Sequence, residues 1–221
     1  MSSLKVGLVG LPNVGKSTLF NALLKKQMAY VANFPFATIE PNVGIVPVPD
    51  ERLEKLSPLY GNAPIVSATV EFVDIAGLIE GASKGEGLGN KFLNHIRQVD
   101  AICFVLRAFS DPDVVRVEGS KDLPLRQDSA GQAKSDFEIL RLELDLADEQ
   151  TMELHMKKKN ANPDELPLFK KKPFLVVLNV DEKDVASSKQ YEERYAQELG
   201  INIEQVVAIS AKVEAELSDL P

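Results

Sequence analysis

Short apolar runs alternate with longer amphipathic stretches along the whole chain. The runs are Lys5–Val9, Val43–Val46, Ala68–Val73, Ala101–Leu106, Phe174–Leu178 and Gln205–Ile209. Most are continuous rather than alternating, the pattern of strands covered on both faces. Between them the spacing predicts helices over Lys16–Lys26, Glu51–Leu59, Gly89–Gln98, Phe137–Leu154 and Val185–Leu199. Asp50 precedes the second of these as an N-cap. Tyr191, Tyr195 and Leu199 recur at one-turn spacing in the last, which predicts a buried stripe. This alternation of strand and helix predicts an α/β fold: a mostly parallel six-stranded sheet with helices on both faces. Gly119–Lys134 is polar and reads as a loop. Lys157–Lys172 carries two lysine triplets around a proline-containing stretch, and reads as a solvated connector before it reads as a basic binding surface.

Composition narrows the class. The chain has 221 residues, 44% hydrophobic and 26% charged, enough for one large globular domain with a sizeable core. A formal net charge of −8 argues against a surface that grips nucleic acid by neutralising phosphates, so no sequence-specific DNA binding is expected. One cysteine, Cys103, lies in an apolar run and has no intrachain partner, which fits a reducing cytoplasm. No apolar run is long enough to cross a bilayer, and nothing before the first strand reads as a signal peptide, so no membrane partner is expected. Zinc-type His/Cys spacing is missing.

The chemistry is carried by Gly10-Leu11-Pro12-Asn13-Val14-Gly15-Lys16-Ser17-Thr18, which matches G-x-x-x-x-G-K-[ST]. It follows a predicted strand and opens a predicted helix, as a phosphate-binding loop must. Main-chain amides from Asn13, Val14 and Gly15 through Thr18 can then surround a polyphosphate at the positive end of the helix dipole. Lys16 would reach the β- and γ-phosphates, and the Ser17 hydroxyl would ligate Mg²⁺. Further along, Thr38 sits in Asn33–Asn42 between the loop and the third strand. There its hydroxyl can add to Mg²⁺ and its amide to the γ-phosphate. D-x-x-G follows as Asp74-Ile75-Ala76-Gly77, with Asp74 holding the metal through water and the Gly77 amide meeting the γ-phosphate. The glycine-rich Gly81–Gly89 after it reads as a second nucleotide-sensitive loop. Leu78 stands where many GTPases carry a water-orienting glutamine, so slow intrinsic hydrolysis is expected.

Asn179-Val180-Asp181-Glu182 lies just after the fifth predicted strand, Phe174–Leu178. Guanine-specific proteins carry N-K-x-D there, and their aspartate accepts from guanine N1–H and its amino group. Here Val180 replaces the lysine and Glu182 the aspartate, which removes the guanine clamp. ATP is therefore expected to bind at least as well as GTP. Ser210-Ala211-Lys212, after the last strand, can offer main-chain N–H groups to the base edge.

Together these motifs resemble the translation-factor-related class of P-loop GTPases, and most closely the YchF family, the Obg-like ATPases. The carrying residues are Gly7–Thr18, Asn33–Asn42, Val73–Leu78, Gly85–Asn90 and Asn179–Glu182. The resemblance implies a P-loop NTPase G domain that binds and hydrolyses ATP with Mg²⁺, as a switch associated with ribosomes, their large subunit as the expected partner. It also implies a stimulating K⁺ near Asn13. Two departures stand out. Only Phe137–Lys172 remains for the long helical insertion of that family, so residues 1–221 read as one G domain with a shortened insertion around 137–172, and without a TGS-type domain. Arg116 stands where the family usually has a histidine with a catalytic role, and an arginine is a poor proton acceptor. Two other readings remain: an Obg-like GTPase with relaxed base specificity, and a nucleotide-gated binding module with negligible turnover.

Overall fold

A computed structural model of the chain describes residues 3–31, 43–75, 88–110, 129–156 and 166–218. The strands within them are β1 (Leu4–Val9), β2 (Val43–Pro47), β3 (Thr69–Asp74), β4 (Ala101–Ala108), β5 (Phe174–Val180) and β6 (Val206–Ile209). Each falls within two residues of an apolar run in the sequence. The helices are α1 (Lys16–Val31), α2 (Glu51–Leu56), α3 (Leu88–Arg97), α4 (Ser129–Met156), α5 (Ser188–Leu199) and α6 (Ala211–Leu217).

The strands form one sheet in the order β2-β3-β1-β4-β5-β6. β1 pairs in parallel with β3 and β4, and β4, β5 and β6 continue in parallel. β2 runs antiparallel to β3 at the edge, where Pro47 costs no ladder hydrogen bond on its outer side. The chain thus builds outward from β1 to β3, then restarts on the other side of β1 with β4. That reversal leaves a crevice beyond the carboxyl ends of the central strands, where ligands bind in open α/β sheets.

The two-residue period divides the core. Ile102, Phe104, Leu106 and Ala108 of β4 face a layer built with α3, α4 and α5. Cys103 and Val105 face the opposite layer, with Leu19 and Phe20 of α1 and Ala211 of α6. Helices therefore cover both faces. Tyr195 is buried in the first layer, flanked by partly buried Tyr191 and Leu199, so the anticipated stripe is present. Asp50 caps α2 by accepting from Arg52 N–H at 3.0 Å. The Arg52 fork on the same carboxylate holds it below the usual carboxylate range.

Several boundaries differ from the sequence expectation. The helix expected over Glu51–Leu59 is α-helical only to Leu56, and Ser57–Tyr60 is a 3₁₀ turn because Pro58 cannot donate to the α ladder. Likewise, Glu182–Ser187 is 3₁₀ before α5 begins at Ser188. α1 extends five residues past Lys26, as no breaker intervenes before Val31. The end of the expected loop Gly119–Lys134 is helical from Ser129, with Ala133 fully buried. α6 was not anticipated at all. Of the stretch read as an insertion, Phe137, Leu140, Leu144 and Ala147 sit in the main core. The second lysine triplet is not wholly solvated: the Lys172 ammonium donates to the carbonyls of Arg97 and Val99, closing the C-terminal end of α3. Desolvation lowers its pKa, partly offset by Asp100.

Candidate functional site

The phosphate loop leaves β1 at the crevice. Gly10 is required there because a Cβ would lie 2.7 Å from the Val105 carbonyl oxygen of β4. Asn13 takes φ +63 and Gly15 φ +91, the left-handed conformations that turn successive amides inward. α1 then begins at Lys16, so its positive end faces the loop.

Lys16, Ser17 and Asp74 come together. Asp74 closes β3 level with Leu8 of β1. The Lys16 ammonium pairs with Asp74 Oδ1, and Ser17 Oγ stands 3.4 Å from Asp74 Oδ2. Two oxygens at that separation fit neighbouring positions around a small divalent cation, for which adjacent ligands lie roughly 3 Å apart. Among the described residues no group of three or more His, Cys, Asp or Glu side chains could hold a metal alone. A cation held by Ser17 and Asp74 would draw its remaining ligands from beyond these two side chains, phosphate oxygens and water among them, as Mg²⁺ does.

At the other end of the crevice, β5 delivers Asn179, which is 6% exposed. Its Nδ2 donates to the Val14 carbonyl at 2.9 Å, and its Oδ1 accepts from Ala211 N–H at 2.9 Å. One side chain therefore fastens the phosphate loop to the start of α6. Ser210 has its own task, capping α6 by accepting from Val213 N–H at 3.5 Å. The Ala211 amide, read from sequence as a base contact, is engaged with Asn179 here.

Glu182 Oε2 lies 3.7 Å from Lys212 Nζ, and both side chains are mostly exposed at the rim. Asp181 accepts from Ser110 N–H at 3.1 Å. Neither carboxylate of the base motif is thus left without a protein donor or cation. Asp184 accepts from Tyr191, whose phenol is pushed above its ordinary pKa by burial first and by this carboxylate second.

Between the two ends lies an open cavity of about 860 Å³. Asn13, Gly15 and Thr18 line it on the loop side, Asn179 to Lys183 and Ser210 to Lys212 on the base-motif side. Phe109 and Ser110, just past β4, close a third side. Sequence reasoning missed these two. Phe109 follows a run that reads as plain buried strand, and only the sheet order shows that β4 ends beside β5. Thr38 and Gly77 lie outside the described residues, as do Leu78 and Arg116.

Residues 5–192 match the family model described as "50S ribosome-binding GTPase". The ribosome-binding ATPase YchF of Bacillus subtilis is 43% identical over 99% of this chain and 68% of its own length. That of Haemophilus ducreyi is 39% identical over 98% of the chain and 67% of its own length. The solved structure of the Schizosaccharomyces pombe YchF GTPase superposes with a TM-score of 0.63 at 30% identity, covering 100% of this chain and 69% of that one. The chain thus spans about two thirds of the length of these relatives. A phosphate loop braced to an altered base motif, on this sheet order and with these relatives, makes the chain a member of the YchF family of P-loop nucleotide-binding proteins.

Proposed function

We propose that this chain binds ATP with Mg²⁺, hydrolyses it slowly, and works as a nucleotide-dependent switch on the ribosome, through its large subunit, in the cytoplasm. The observation that carries the base preference is the Glu182 carboxylate paired with Lys212 at the rim, where a guanine-specific site would present it to the base. Phe109 adds an aromatic face on the same cavity, and a π-face is indifferent to the exocyclic groups that distinguish adenine from guanine.

The roles follow from position. The left-handed Asn13 and Gly15 direct main-chain amides at the triphosphate, and the start of α1 adds its dipole. Lys16 exchanges its pairing with Asp74 for the β- and γ-phosphates, so it is already held within reach of them. Ser17 and Asp74 would hold Mg²⁺, which neutralises charge on the transferring phosphoryl group. Thr38 and Gly77 are proposed to contact the metal and the γ-phosphate respectively. Asn13 is proposed to help hold a stimulating K⁺. The Asn179 brace keeps loop and base pocket in register, so a nucleotide finds both ends of its site at a fixed separation.

The test is phosphate release from Mg-ATP by the purified chain, with and without isolated large ribosomal subunits, in potassium and in sodium buffer. Stimulation by subunits and by K⁺, lost in Lys16→Ala, is expected. Release no greater than that of Lys16→Ala in every condition would refute the enzyme and leave a binding module.

A further inference from the structure

We propose that Arg107 is a positioning residue for nucleobase binding: it fixes the Phe109 ring as the wall against which the purine stacks. The inference rests on the nucleotide-binding reading above and adds to it a residue that neither motif includes.

Arg107 is the penultimate residue of β4 and only 4% exposed. It pairs in register with Asn179, so both side chains leave the same face of the sheet, shared with Cys103 and Val105 beneath them. Arginine is rarely buried so deeply, and the two positions before it on that face are filled by small apolar groups. Packing alone therefore does not account for it. Two of its contacts are to Phe109: its guanidinium carbon lies 4.4 Å from the centroid of the Phe109 ring, and its Nε–H donates to the Phe109 carbonyl at 3.4 Å. The next residue is fixed too, because Ser110 N–H donates to Asp181. Phe109 is thus held by its ring, its own carbonyl and the following amide, while it lines the cavity. A planar guanidinium suits this task, since it stacks on a ring and donates in its own plane at once. A ring already held in one rotamer loses less entropy when a base stacks on it, so the benefit falls on the base and not on the phosphates.

That separation gives the test. Dissociation constants of Mg-ATP and of magnesium tripolyphosphate, which has the phosphates without the base, are measured for the chain and for Arg107→Met, Arg107→Lys, Phe109→Leu and the Arg107→Met/Phe109→Leu double variant. Arg107→Met is expected to weaken ATP by about three- to tenfold and to leave tripolyphosphate unchanged within about twofold. In the Phe109→Leu background the same change should add nothing. Arg107→Lys, which keeps the buried charge but not the plane, should fall between. Equal losses for both ligands, a loss that persists without Phe109, or no loss at all would overturn the proposal. Should Arg107→Met fail to fold, Arg107→Lys carries the test, with a smaller loss for ATP and again none for tripolyphosphate. The chain has no tryptophan, so Phe109→Trp provides a single indole that can be excited apart from the tyrosines. Its anisotropy should drop when Arg107→Lys is added, and unchanged anisotropy would count against the clamp. If the unaltered chain ignores ATP, the nucleotide-binding reading fails; if it binds ATP and the ratio stays put, only the Arg107 role fails.

Discussion

Replacing Asn179 by alanine tests the brace between phosphate loop and base motif without any ligand. The substitution removes the donor to the Val14 carbonyl and the acceptor from the Ala211 amide, both at 2.9 Å and both in buried surroundings. Each orphaned buried polar group costs about 1–3 kcal/mol, so complete isolation of both would cost about 2–6 kcal/mol. The neighbouring cavity admits water to this point, since Ala211 lines it, and some of that cost is relieved. A loss of about 2–3 kcal/mol is therefore the working value, against a total stability of about 5–15 kcal/mol for a typical domain. With a urea slope of about 2–3 kcal/mol/M the midpoint should fall by roughly 1 M, with the slope unchanged. Asn179→Asp keeps the acceptor for Ala211 but turns a second oxygen toward the Val14 carbonyl, and should be at least as destabilising. The assay is urea denaturation in nucleotide-free buffer. A change below about 0.5 kcal/mol, the level of an inconsequential surface substitution, would refute the brace.

Other outcomes follow from the same structure. Val180→Lys with Glu182→Asp rebuilds N-K-x-D and draws the carboxylate one methylene back from Lys212, so GTP binding should gain about tenfold over ATP, read by competition titration. Burial pushes the Cys103 thiol up to about 12, above its unfolded value, so its contribution to stability is complete below the unfolded pKa and is lost as pH rises toward 12. Denaturation midpoints between pH 9 and 11 should therefore fall more steeply for the unaltered chain than for Cys103→Ala, and parallel slopes would contradict this. Leu78→Ala should not abolish turnover, because leucine cannot orient the attacking water; a total loss in the phosphate-release assay would contradict this.

The strands were legible because each is a run of apolar residues covered on both sides, a signal that survives without tertiary information. The phosphate loop was legible because its glycines and lysine are dictated by the backbone geometry they serve. α6 was not, since it is seven residues long and, among them, only Ala211 is fully buried. The start of α4 was hidden for a related reason: Ala133 buries fully but is flanked by polar residues that mask the period. The site's cross-links were out of reach altogether. Asn179 could be read as a base contact from its motif, yet its bonds to Val14 and Ala211 join segments 165 and 32 residues away. Phe109 and Arg107 acquire meaning only once the sheet order sets β4 beside both β1 and β5.

The central claim is that this cradle holds a triphosphate while its base pocket has stopped insisting on guanine. Side-by-side calorimetric titration of the purified chain with ATP and GTP in magnesium buffer tests it most directly. ATP binding at least as tight as GTP, with both lost in Lys16→Ala, is the predicted result; saturation by GTP at concentrations where ATP leaves no heat would contradict it.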